Sequence, residues 1–113
     1  MASPSSDRRK HPRYACDVGV QIRGEHSSGG YWGTLADMSL GGCYVYTFSP
    51  LAIGTALTVT IGAGEDAFIA HGVAVTRHPG VGMGVEFAGF IQPDGEVRLK
   101  TLLASLEASS KPT

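Results

Sequence analysis

The sequence predicts an all-β domain with one C-terminal helix, namely six short antiparallel strands closed into a small barrel. Three observations carry this. Apolar and polar residues alternate with period two in successive short runs, the pattern of half-buried strands. Glycine- and proline-rich segments separate these runs at regular spacing. The last run instead places Leu99, Leu102, Leu103 and Leu106 at i, i+3, i+4 and i+7, one apolar helical stripe. Closing the sheet removes the exposed edges that so small an open sheet would have to protect.

The elements follow in order. Tyr14, Cys16, Val18, Val20 and Ile22 alternate with Ala15, Asp17, Gly19, Gln21 and Arg23, giving a first strand with one buried face. Residues 24–30 are turn material, and a second strand runs through Tyr31–Met38. Ser39-Leu40-Gly41-Gly42 is a bend, residues 43–48 form the third strand, and Ser49-Pro50 ends it. Leu57, Val59 and Ile61 mark the fourth. Residues 67–77 form the fifth, with Ile69, His71, Val73 and Val75 as its apolar face. Val81, Met83, Val85 and Phe87 mark the sixth. Pro93 and Asp94 are start signals for the helix. Its stripe must bury against the barrel or a partner chain. Residues 1–7 read as a flexible lead, 8–108 as the domain and 109–113 as a flexible tail.

With 113 residues there is room for one domain. Hydrophobic residues at 42% supply a core, and no apolar run approaches the roughly 20 residues of a membrane helix. The N-terminal residues lack the apolar region of a secretory signal. Cys16 and Cys43 are too few for a disulfide framework and lack zinc-ligand spacing, so a cytoplasmic location is expected. These features exclude a membrane protein, a disulfide mini-protein and a multidomain enzyme. The net charge of −1 conceals an asymmetry. Residues 1–13 hold Arg8, Arg9, Lys10 and Arg13 against Asp7, while residues 14–113 hold five Lys/Arg against nine Asp/Glu. A basic arm beside an acidic body points to an anionic partner, or else to a solvated terminus.

Two motifs carry chemistry. In Arg8-Arg9-Lys10-His11-Pro12-Arg13, Arg9 and Arg13 stand at R-x-x-x-R spacing. The arginine fork suits a phosphate or the O6/N7 edge of guanine, and its flat face stacks on a base. Asp37-Met38-Ser39-Leu40-Gly41-Gly42 is a D-x-S-x-x-G pattern. A carboxylate accepts from guanine N–H groups, and glycine lets backbone N–H groups approach an anion. Alone, the second motif more often marks an ordinary turn between two strands.

Together, R-R-x-x-x-R before a strand beginning at Tyr14 and D-x-S-x-x-G after the second strand resemble the PilZ domain family. The stretch Val81–Phe87 and the leucine-rich helix look like the ending of such domains, so the resemblance spans residues 8–107. It implies a six-stranded barrel with a C-terminal helix that binds the bacterial second messenger cyclic di-GMP. By similarity, Arg9 and Arg13 would grip guanine edges and phosphates, and Arg8 would add a cation and a stacking surface. Asp37 and Ser39 would hydrogen-bond a guanine, and Gly42 would permit close approach. The double arginine looks like members that accept two intercalated ligand molecules. The mechanism expected is a switch: the ligand orders a mobile arm, and the altered surface signals to a protein partner, so the chain acts as an adaptor and not as an enzyme.

Other readings are weighed against this one. A basic-armed nucleic-acid-binding barrel predicts a broadly basic surface, which the acidic body opposes. A PilZ-like interaction module that binds no nucleotide would not need Arg9, Arg13 and Asp37 together. His11, His26, His71 and His78 lack paired metal-ligand spacing, so no metal or cofactor is expected, and His71 reads as a core histidine. Cys16 and Cys43 read as buried, inert thiols. Trp32, Tyr44 and Tyr46 read as barrel core or rim more readily than as a stacking platform. No nucleophile–base set, P-loop or G-x-S-x-G is present.

Overall fold

The structure is a computed structural model that describes residues 12–25, 29–62 and 64–110, with the side chains of residues 109 and 110 excepted. Six strands, β1 (Tyr14–Gly24), β2 (Tyr31–Met38), β3 (Gly42–Tyr46), β4 (Ala56–Ile61), β5 (Phe68–His78) and β6 (Gly82–Phe90), precede the helix α1 (Gly95–Ser110). A single 3-10 turn, Gly64–Asp66, joins β4 to β5. All neighbouring strands pair antiparallel, in the closed order β1-β2-β3-β6-β5-β4. The predicted barrel and helix are therefore both present. The third strand is shorter than expected, starting at Gly42 and leaving the ladder after Tyr46.

Strand alternation fills the barrel. Val20, Ile22, Leu35, Val45, Val59, Ile61, Met83 and Val85 are buried together in one core. Leu99 and Leu103 of α1 join it, with Leu102 and Leu106 half-buried beside them. The leucine stripe thus packs on its own barrel. Asp94 precedes the helix, and its carboxylate receives the Arg98 Nε–H at 2.9 Å. Arg98 also donates from Nη1 to the carbonyls of Glu65 and Ala67, each at 2.8 Å, which pins the start of the helix to the turn before β5. Gly95 is needed there because a Cβ would lie 2.4 Å from the Phe90 side chain.

Strand β5 corrects the sequence reading. Its buried face is Phe68, Ala70, Gly72 and Ala74, and His71 is exposed. The cause is pairing. Ile61, Val59 and Leu57 lie opposite Phe68, Ala70 and Gly72, and directly paired residues share a face. Large inward side chains on β4 leave room only for small ones beyond Phe68. At Gly72 a Cβ would approach the Val85 side chain to 2.5 Å. Ile69, His71, Val73 and Val75 therefore face outward, and His71 is no core histidine.

The cysteines and aromatics also depart in part from expectation. Cys43 is buried, but Cys16 is only half-buried, beside a register shift between Ala15 and Val18. Trp32 and Tyr46 project from the outer surface, so neither belongs to the core. No described helix is long and apolar enough to cross a membrane.

Candidate functional site

The outer face of β2, β3, β6 and β5 carries a groove of about 1050 Å³ that reaches from Arg13 to His78. Two transverse rows of the sheet define it. Asp37 pairs with Tyr44, Tyr44 with Gly84, and Thr76 with Gly84. In the next row Gly42 pairs with Glu86, and Glu86 with Val73. β6 contributes Gly82 and Gly84 here, and the side chains of Tyr44 and Thr76 pack over them. Tyr44 lies over Gly82, where a Cβ would come within 2.7 Å of its ring. From there its hydroxyl reaches His78 Nδ1 at 2.8 Å, closing the far wall. Thr76 Oγ1 accepts from Gly84 N–H at 2.9 Å, next to a register shift in β5.

The near wall holds Arg13 of the first motif and Asp37, Ser39, Gly41 and Gly42 of the second. Arg13 precedes β1 directly, and Ala15 pairs with Asp37 near the end of β2. This places the Arg13 guanidinium against the Asp37 carboxylate, to which Nη1 donates. Both side chains are about one-third exposed, 31% and 35%. Ser39 is 5% exposed and works within the bend. Its Oγ accepts from Gly41 N–H at 3.1 Å and lies 3.4 Å from the Gly42 carbonyl, while its own N–H donates to that carbonyl at 2.8 Å. Gly42 is required by packing as well, since a Cβ there would sit 2.2 Å from the Val85 carbonyl oxygen.

The charge of Asp37 reaches its neighbours. The Cys43 thiol is pushed up to about 12, chiefly by burial and then by Asp37, with Arg13 opposing. Cys16 is pushed up to about 11 by burial, Asp37 and Asp17. The Tyr44 phenol is raised by burial, then by Tyr46 and Asp37.

Of the six residues singled out in the sequence, the structure brings Arg13, Asp37, Ser39 and Gly42 together at one end of the groove. Arg8 and Arg9 lie outside the described residues. Sequence reasoning missed Thr76, His78 and Glu86, which line the same groove. They reach it through β3–β6–β5 pairing, for which no local motif gives a signal.

The sequence matches the model of the PilZ domain over residues 7–105. The chain belongs to the PilZ domain family. Solved structures are similar to this PilZ barrel in fold. The PilZ domain of CeSA from a cellulose-synthesizing bacterium superposes with a TM-score of 0.66 at 18% identity, over 85% of this chain and 98% of that one. The PilZ domain of YcgR from Escherichia coli, solved with c-di-GMP, gives 0.70 at 19% identity, over 91% and 94%. The MrkH–c-di-GMP complex of K. pneumonia gives 0.70 at 21% identity, over 91% of this chain and 54% of that one. No curated protein matches the sequence. In this PilZ domain Arg13, Asp37, Ser39, Gly41 and Gly42 line the groove on the outer barrel surface.

Proposed function

We propose that this PilZ domain is a receptor for cyclic di-GMP and not an enzyme. The observation that carries the reading is the meeting of Arg13 and Asp37, one from each motif, at the rim of a single groove. A dianionic ligand with two purines calls for a guanidinium fork and a guanine-accepting carboxylate within one ligand's reach. Complexes with c-di-GMP among solved structures of the same fold support the choice of ligand.

Binding proceeds by exchange. Arg13 and Asp37 satisfy each other in the structure, and a partly exposed pair of this kind contributes about 0–1 kcal/mol. A ligand phosphate can therefore take the Arg13 fork, and a guanine edge the Asp37 carboxylate, at small cost. Arg8 and Arg9 add two further cations for the phosphates, with one ligand molecule or two intercalated ones held between arm and barrel. Neutralising the arm orders it over the groove, and the changed surface is read by a protein partner in the cytoplasm. The domain runs from residue 8 to 108 in this reading.

Titration calorimetry with cyclic di-GMP tests this, beside GTP and the Arg13→Ala variant. Saturable heat with wild type, silence with GTP and a loss of at least about tenfold in affinity for Arg13→Ala are expected. Absence of binding by wild type at high protein concentration would overturn the receptor and leave a protein-docking module.

A further inference from the structure

The groove holds a second carboxylate that neither motif accounts for. Glu86 is exposed on the outer face of β6, directly opposite Gly42, and lines the groove. Its carboxylate has no hydrogen-bond or ion-pair partner among the described residues. Asp37, by contrast, is neutralised by Arg13. An unpaired negative charge inside a site for a dianion raises the cost of binding, unless the ligand offers it donors. Guanine offers two on one edge, N1–H and the exocyclic amine, which fit the two oxygens of a carboxylate. Adenine presents an acceptor at N1 and has no amine at C2, so it would set a lone pair against the carboxylate.

We infer that Glu86, on β6 across the sheet from Asp37, reads the second guanine of cyclic di-GMP. This rests on the receptor reading above. Asp37 and Glu86 face the same side of the sheet on β2 and β6, with β3 between them. Two strand spacings, roughly 10 Å, separate these strands, wider than the hydrogen-bonding edge of one purine. The carboxylates therefore meet different bases. Gly42, Gly84 and Tyr44 line the groove between them.

The test uses a ligand with one base of each kind. Affinities of wild type, Glu86→Gln and Glu86→Ala are measured for cyclic di-GMP and for 3′,3′-cyclic GMP–AMP by calorimetry, with thermal melts to verify folding. Wild type is expected to prefer cyclic di-GMP by roughly tenfold or more, because only one carboxylate can find a guanine in the mixed ligand. Both variants should lose that preference, since Asp37 still takes the one guanine, and cyclic di-GMP should bind them more weakly. If the variants keep the preference, Glu86 does not read a base. If they bind both ligands more tightly, Glu86 only repels phosphate, and the inference is likewise overturned. Equal weakening for both ligands with the preference intact would make Glu86 a support for the arm and overturn it too. Failure of wild type to bind cyclic di-GMP at all would remove the receptor reading itself, and this inference with it.

Discussion

Cys43 shows how one buried atom couples the site to the stability of the barrel. Its thiol is held up to about 12, first by burial and then by the nearby Asp37 charge. In the unfolded chain a cysteine ionises near about 8.5. Between those values the folded state keeps a proton that the unfolded state gives up, so stability falls as pH rises. Cys16, raised to about 11, adds a slope of the same sign. The melting temperature should therefore drop steadily from about pH 8 to about pH 10.5, and Cys43→Val should remove part of that drop. A variant with the same slope as wild type would show that other groups cause it. Gly42 and Ser39 teach a related lesson at this scale. The motif residues fit the bend for packing and hydrogen-bonding reasons that exist before any ligand arrives.

At the scale of elements, α1 is fastened by two different means. Arg98 ties its first turn to the carbonyls of Glu65 and Ala67, and Leu99 and Leu103 seal the core beneath it. Leu99→Ala leaves a cavity in the core and should cost about 2–5 kcal/mol, lowering the melting temperature by about 10 °C or more. Val97→Ala, one helical face away and 63% exposed, should change it little, and far-UV circular dichroism melts of both variants check the contrast. The elements also differ in how far they were legible. β1 and β6 have a large apolar residue at nearly every inward position, so period two revealed their buried faces. β5 buries Ala70, Gly72 and Ala74 and exposes the larger Val75, because its β4 neighbours already fill the interior. Hydropathy alone favours the wrong face there. The same logic divides the site. Arg13, Asp37, Ser39 and Gly42 announce themselves by spacing, each within a short segment. Thr76, His78 and Glu86 enter only through pairing between distant strands, which leaves no trace in local sequence.

For the whole molecule, closure is complete in order but uneven along the strands. β4 pairs with β1 only from Val20 to Gly24, so the described ladder partner of Tyr14–Gly19 is β2, with α1 packed against β1. Amide hydrogen exchange should therefore be slowest at residues 20–24 and faster at residues 15–19, where fewer backbone bonds must break. Uniform protection along β1 would mean that the seam is tighter than its register implies. Arg13 hangs from this looser half, so a ligand that grips it should slow exchange there first. The outward placement of Trp32 carries a spectroscopic consequence. It is the single tryptophan of the chain, 73% exposed and outside the groove lining. Its emission should resemble that of tryptophan in water before and after the barrel melts, and should barely respond when the groove fills. Light absorbed by Tyr44, held between Tyr46 and His78, is the better optical reporter of both events.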